Sequence, residues 1–96
     1  MKKHIFIGKF NLGTVVITPG ASDICEDHVL SALTRHISGD WGDVCEEDKQ
    51  ENDYSLAHGG RLLSSYRSAG VKFWIITEHD RSITTILLPE EYYNFP

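Results

Sequence analysis

The most informative segment for the fold is RLLSSYRSAGVKFWIITEHDRSITTILLP, residues 61–89, because here the pattern of apolar residues changes from helical to extended. Three runs in this stretch are rich in β-branched, aromatic and leucine residues, and the short polar segments SAG and DR separate them. Runs of this kind joined by tight turns are typical of an antiparallel meander. The predicted strands are residues 61–67, 71–78 and 82–88.

The middle run carries apolar residues on both of its faces. Phe73 and Ile75 alternate on one face and Trp74 and Ile76 on the other, which predicts a central strand that is covered, at least in part, on both sides. Pro89 ends the last run, because proline has no N–H to donate to a strand ladder.

The N-terminal part predicts a β-hairpin. HIFIGKF (residues 4–10) and TVVIT (residues 14–18) flank an Asn/Gly turn, and two such runs around a turn read as paired strands. Thr18 followed by Pro19 suits a helix start. A short helical turn through the following residues is therefore expected, with Ala21, Ile24 and Cys25 in it.

Two longer helices are predicted in the middle of the chain. Residues 28–37 place apolar side chains at helical spacing, with Asp27 as the N-cap and Ser38-Gly39 at the end. A second helix over residues 43–56 begins at Asp43, with Glu46 three residues on as a variant of the capping box.

The order of hairpin, two to three helices and meander predicts a single α+β domain over residues 1–96, with the helices packed on one face of the sheet. Apolar content of 41% and charged content of 24% are ordinary for a globular protein. The longest apolar runs are far short of the roughly 20 residues of a membrane span. The start of the sequence lacks a secretion signal, so a cytoplasmic location is expected. Cys25 and Cys45 are expected to be buried thiols.

A net charge of −5 disfavours nonspecific binding to nucleic acid, which depends on clustered Lys and Arg. The nine Lys and Arg residues are scattered along the chain. Residues 38–53, SGDWGDVCEEDKQEND, hold seven acids and one lysine. On the predicted helix Cys45, Lys49, Asn52 and Leu56 form a narrow stripe towards the body of the protein, and the acids spread over the remaining surface.

Two interpretations of the acidic stretch stay open: a solvated helix face, or a face that docks on a basic protein partner. The second interpretation predicts a set of binding residues: Asp40, Trp41, Asp43, Glu46, Glu47, Asp48 and Glu51. Trp41, between two glycines, is either a buried plug with a bonded N–H or an exposed anchor. Asp40 is expected to pair with Arg61 or Arg35.

A metal site is disfavoured. His36, Asp40, Asp43 and Cys45 mix hard and soft ligands without a recurring spacing. No cofactor-binding motif is present in the sequence, so neither a metal nor a cofactor is predicted.

The segments TVVITPGA, GDWGDVCEEDK, GGRLLSSYR and WIITEHDRSITTILLPEEY, with Asn52, carry a resemblance that covers nearly the whole chain. Together they resemble a family of small uncharacterised bacterial proteins, encoded on plasmids and other mobile elements and labelled as plasmid-related. Members are sometimes also labelled as type I restriction methylases. That activity would need a Gly-rich nucleotide loop and a longer chain, so the resemblance implies a genomic setting.

Two classes of function follow. The first is a non-enzymatic regulatory protein of a mobile element that binds another protein through the acidic helix. The alternative is a small nuclease, similar in outline to barnase- and RelE-like ribonucleases, that acts on RNA. In that alternative His36 is the acid or base, Arg61 holds a phosphate, and Tyr66 or Thr84 orients it. A structural role for His36 at the helix C-terminus competes with this assignment.

Overall fold

A computed structural model of the protein describes residues 6–94. Within this part of the chain the fold is α+β, with two α-helices and a mixed sheet of four strands. No helix among these residues is long and apolar enough to cross a membrane. In chain order the elements are β1 (Thr14–Ile17), α1 (Glu26–Ile37), α2 (Glu46–His58), β2 (Leu62–Ser68), β3 (Val71–Thr77), β4 (Ile83–Leu87) and a 3-10 helix (Pro89–Asn94).

The predicted antiparallel strands are present as β2, β3 and β4, and β3 lies between the other two. Ile75 pairs with Ser64 on one side and with Ile86 on the other. Phe73, Ile75 and Ile76 are fully buried and Trp74 is half-buried. The prediction that the middle strand is covered on both faces is therefore confirmed.

The predicted N-terminal hairpin is wrong. β1 pairs in parallel with β4, from Thr14 opposite Ile83 onward, so the sheet has the order β1-β4-β3-β2. Residues 4 and 5 lie outside the described residues, and residues 6–13 form no strand. The N–H of Lys9 instead donates to the carbonyl of Ile37 at the end of α1, 2.7 Å away. The partner of β1 is thus a strand far along the chain, which local sequence does not reveal.

The segment between β1 and α1 forms consecutive turns and not a helix. Thr18 does act as the expected cap, because its hydroxyl accepts a hydrogen bond of 3.3 Å from the N–H of Ala21. The backbone N–H groups of Ser22 and Ile24 donate to the carbonyls of Pro19 and Ala21, each also over three residues. The capping signal was correct, but the segment turns back towards the sheet before a helix can propagate.

Helix α1 covers one face of the sheet. It begins at Glu26, two residues before the predicted start, with Cys25 at the N-cap. Asp27 lies in the first turn, where a negative charge suits the positive end of the helix. The buried side chains of the helix pack on the sheet in one cluster: Val29, Ala32, Leu33 and Ile37 against Tyr66, Phe73, Ile75 and Ile86.

Helix α2 begins at Glu46 and not at the predicted Asp43. The backbone N–H of Asp43 donates to the carbonyl of Ser65, 2.8 Å away, and the N–H of Ser65 donates to the carbonyl of Trp41 at 3.1 Å. Residues 41–43 therefore run extended along the outer edge of β2, which excludes a helical start there. As a result α2 is held at this edge, whereas the prediction placed every helix on one sheet face.

The two cysteines are exposed, which corrects the expectation that they are buried. Cys25 and Cys45 are the N-cap residues of α1 and α2. A position at a helix start at the surface leaves the side chain in solvent, whereas the predicted seam had placed Cys45 against the body.

Candidate functional site: an acidic helix at the sheet edge

Polar contacts attach α2 to the protein. The side-chain amide of Asn52 donates to the carbonyl of Leu63 at 2.8 Å, and its oxygen accepts from the N–H of Leu63 at 3.1 Å. Asn52 and Ser55 are the buried residues of this helix, and Lys49 and Leu56 are half-buried. Three of the four predicted seam residues thus face the body, and the fourth, Cys45, lies outside the helix.

Trp41 attaches the middle of α2 to the body of the protein. Its side chain is 3% exposed, and its Nε1–H donates to Asp53 Oδ1 at 2.9 Å. The ring also contacts the rings of Phe10 and His36. The plug interpretation of Trp41 is therefore the one that the structure shows, and this residue is not available as an exposed anchor.

Arg81 holds the C-terminal end of α2. Its guanidinium donates to the carbonyl of Gly60 at 2.6 Å and to the carbonyl of Ser55 at 3.1 Å. A positive charge near the free carbonyls at the C-terminus of a helix stabilises the helix, because this end carries a partial negative charge. With Trp41 and Asn52, this contact gives α2 three attachment points, which fix the orientation of its outward surface.

The outward surface of α2 and its approach is acidic. Five of its exposed carboxylate residues form what we call the acidic face: Asp43, Glu46, Glu47, Asp48 and Glu51. Among the described residues no Lys or Arg forms an ion pair with any of them. Arg35 attracts Asp43 electrostatically, and Arg61 lies in the same cleft as Asp48 and Glu51. The five carboxylates are nevertheless exposed and bonded to no cation within residues 6–94, so a partner can contact them.

Asp40 has a different environment from the acidic face. Its carboxylate accepts from Arg35 Nε at 2.7 Å and from Arg35 Nη2 at 3.2 Å. This hydrogen bond to Arg35 lowers the pKa of Asp40. Of the two partners expected for Asp40, Arg35 is the one found, whereas Arg61 pairs with Glu78 at 3.1 Å. Asp40 is exposed, but its charge is already neutralised within the protein.

The charge distribution is strongly unequal along the chain. Residues 38–53 contain seven acids and one lysine, a net charge of −6, whereas the whole chain carries −5. The rest of the chain therefore has seven acids and eight bases, a net charge of +1. The entire negative balance of the protein arises from the acidic face and its immediate neighbours.

An exposed aromatic residue lies on the same outward surface. Tyr54 is 62% exposed and stacks on His58, with ring centroids 4.1 Å apart. It follows Glu51 by three residues and Glu47 by seven, spacings that place all three on one side of a helix. The aromatic residue predicted for this surface was Trp41. The spacing of Tyr54 from Glu47 and Glu51 in the sequence indicates Tyr54 instead.

The four residues of the nuclease alternative do not surround a common surface site. His36 and Thr84 are fully buried, and each hydrogen-bonds to Thr77, at 2.9 and 2.8 Å. Tyr66 is buried and donates from its hydroxyl to the carbonyl of Asp40 at 2.6 Å. Arg61 instead lies in a surface cleft of about 200 Å³ with Asp48 and Glu51. The geometry therefore gives His36 no access to an RNA phosphate.

No group of three or more His, Cys, Asp or Glu side chains within residues 6–94 is arranged to hold a metal ion. His36 is enclosed by hydroxyl and aromatic groups, so it lies apart from the carboxylates of the surface.

No protein-family model matches the sequence, and neither a curated protein nor a solved structure shows significant similarity to it.

Proposed function

We propose that the protein is a small regulatory binding protein of a mobile genetic element, which acts in the cytoplasm by docking its acidic face on a basic protein partner. The observation that supports this most is the combination of rigid attachment and unpaired charge on α2. Acids elsewhere on the protein, such as Asp40 and Glu91, bond to Arg35 and to Thr18. The five residues of the acidic face form no ion pair within the described chain.

Charge on a fixed helix attracts a basic surface over a distance of about a Debye length, roughly 8 Å at physiological ionic strength. Such attraction mainly accelerates association and orients the two proteins. Tyr54 supplies the contact that charge alone does not, because an exposed tyrosine buries a large area at little cost in side-chain entropy. The partner is therefore a protein with clustered Lys and Arg around a shallow apolar pocket.

The test removes negative charges from the acidic face while keeping the size and shape of the side chains. We expect the triple variant Glu46→Gln, Glu47→Gln, Glu51→Gln to fold normally and to associate more slowly with the partner that is captured from cells carrying the element. The dependence of its association rate on salt should also be much weaker than that of the wild type. The measurement is the association rate constant over a series of ionic strengths.

A second triple variant supplies the control: Asp23→Asn, Asp27→Asn and Glu90→Gln. These three residues are exposed and lie outside the acidic face, so the variant makes the same change in net charge at a different place. The proposal requires the control to retain most of the rate and its salt dependence. Equal losses in the two variants would mean that only net charge matters, and unchanged rates in both would leave α2 as a solvated helix.

An RNA cleavage assay tests the nuclease alternative separately. The purified protein should leave RNA intact over a range of pH and divalent ions. Cleavage that disappears in an Arg61→Ala variant that still folds would reverse the assignment in favour of an enzyme.

A further inference from the structure

The outer edge of β1 carries backbone groups that have no partner within residues 6–94. The N–H groups of Thr14 and Thr18 donate inward, to the carbonyls of Ser82 and Ile86, each at 3.0 Å. Because backbone groups alternate in direction along a strand, those of Val15 and Ile17 point away from β4. Within residues 6–94, no residue forms a hydrogen bond with these outward groups.

The two edges of the sheet differ in the hydrogen bonds that cover their outward backbone groups. At the β2 edge, Asn52 bonds the backbone of Leu63, and residues 41–43 bond that of Ser65. At the β1 edge, the described part of the chain supplies no equivalent cover. Unprotected edges are the sites at which strands of separate chains pair.

The side chains of β1 do not protect this edge either. Thr14–Ile17 contains no charged residue and no proline, which are the residues that commonly prevent pairing between edges. Val15, Val16 and Ile17 are 38, 39 and 48% exposed. An apolar, β-branched edge of this kind favours another strand over water.

We propose that β1 is a dimerisation edge, on which β1 of a second copy pairs in the antiparallel direction across a twofold axis at Val16. In this register Val15 lies opposite Ile17 of the second copy, and the reciprocal pair is identical by symmetry. The four outward N–H groups then donate to four outward carbonyls. Val16 faces Val16 of the second copy in a non-hydrogen-bonded pair.

Charge supports a second copy as the occupant. The acidic face lies at the β2 edge, the opposite end of the four-stranded sheet. In the dimer the two β2 strands are the ends of an eight-stranded sheet, roughly 33 Å apart at the usual strand spacing. This separation exceeds the Debye length several-fold. The β1 edge is therefore a surface by which two copies of net charge −5 approach without strong repulsion.

The interface is small. Four residues on each side cannot bury the roughly 1,000 Å² of a stable dimer, so the association is expected to be weak and to depend on concentration. The dimer does not depend on the proposed function, although it would present two acidic faces that point in opposite directions.

A crosslinking experiment tests the register. In a background with Cys25→Ser and Cys45→Ser, Val16→Cys should form a covalent dimer under mild oxidation, because a non-hydrogen-bonded pair has Cα atoms about 4.5 Å apart. Val15→Cys is the matched control. Its equivalent in the second copy lies on a diagonal, roughly 7–8 Å away, so crosslinking should be much slower. Equal crosslinking of the two variants, or none in either, would overturn this register.

Sedimentation equilibrium over a concentration series tests the dimer itself. Val16→Lys places like charges opposite each other, and Val15→Pro removes an outward N–H while leaving the bonds to β4 intact. Each variant should raise the dissociation constant by roughly tenfold or more, which corresponds to about 1.4 kcal/mol. Val71→Lys, at an exposed valine of β3, is the control and should dimerise as the wild type does. A wild-type protein that stays monomeric to millimolar concentration would refute the proposal.

Discussion

Asn52 pairs with Leu63 as a neighbouring strand would, donating to its carbonyl at 2.8 Å and accepting from its N–H at 3.1 Å. A side chain of α2 thus replaces two backbone groups at the edge of β2. The bridge between Gly42 and Ser65 continues the same cover two residues further along the strand. The acidic helix and the closure of this edge consequently depend on one another.

Replacing Asn52 should be costly because it removes both bonds at once. We expect Asn52→Ala to lower the free energy of unfolding by roughly 2–3 kcal/mol, since two backbone groups lose their partners. Urea denaturation followed by circular dichroism measures the change. Gln50→Ala, at an exposed position of the same helix, is the control and should change stability by less than about 0.5 kcal/mol. Similar values for the two variants would show that the Asn52 bonds add little to stability.

The central strand should contain the largest single contribution to the core. Ile75 is fully buried between β2 and β4, and Ile75→Ala should cost roughly 2–4 kcal/mol through lost burial and a cavity. Val71→Ala, at an exposed position of the same strand, should cost far less. A loss below about 0.5 kcal/mol at Ile75 in chemical denaturation would contradict its place in the core.

The meander was predictable because its information is local. Short turns join its strands, and the alternation of Phe73 and Ile75 with Trp74 and Ile76 is visible within one run. The parallel pairing of Thr14 with Ile83 was not, because their contact joins distant parts of the chain. A β-branched run such as TVVIT indicates a strand, but it does not specify the partner.

The negative charge of the candidate site was predictable from the sequence, whereas the contacts that hold α2 in place were not. The count of acids in residues 38–53 is a property of the sequence alone. The start of α2 was misplaced because Asp43 donates its backbone N–H to Ser65, a long-range contact that overrides a favourable capping residue. The role of Arg81 at the end of α2 likewise depends on a contact across the fold.

The turn between β2 and β3 holds an alanine in an unfavourable conformation. Ala69 and Gly70 have φ angles of 50° and 81°, as in the hairpin turns that prefer Asn-Gly. Ala69→Asn should therefore raise the free energy of unfolding by roughly 0.5–1 kcal/mol, because asparagine tolerates this region better. Thermal and urea denaturation would show the gain.

Gly70→Ala gives the reverse case at the same turn. A Cβ at Gly70 would meet no atom within 4 Å, so its cost of roughly 1 kcal/mol would arise from the backbone conformation alone. If Ala69→Asn destabilised the protein while Gly70→Ala had no effect, the turn would not have the described geometry.

His36 should make the stability of the protein dependent on pH. It is fully buried, with Nδ1 2.5 Å from Ser64 Oγ and Nε2 2.9 Å from Thr77 Oγ1. Burial, with a smaller effect from the positive charge of Arg81, lowers the pKa of His36 to about 3. In the unfolded chain the imidazole binds its proton near pH 6.5. Between these two values the unfolded state holds the proton and the folded state does not.

Stability should therefore be fully present above pH 6.5 and decrease as the pH falls towards 3, with a slope of up to about 1.4 kcal/mol per pH unit. Urea denaturation at pH 7, 6 and 5 measures this slope in a range where most carboxylates stay ionised. His36→Gln retains a donor and an acceptor but cannot titrate, so its stability should change much less over the same range.

A variant that is as sensitive to pH as the wild type would show that the buried imidazole is not the titrating group. The pH dependence would then have to originate from other groups, among which Asp40 and Glu91 have pKa values lowered by hydrogen bonds to Arg35 and Thr18. Those carboxylates lose their contribution only at a lower pH, so the position of the transition would distinguish them from His36.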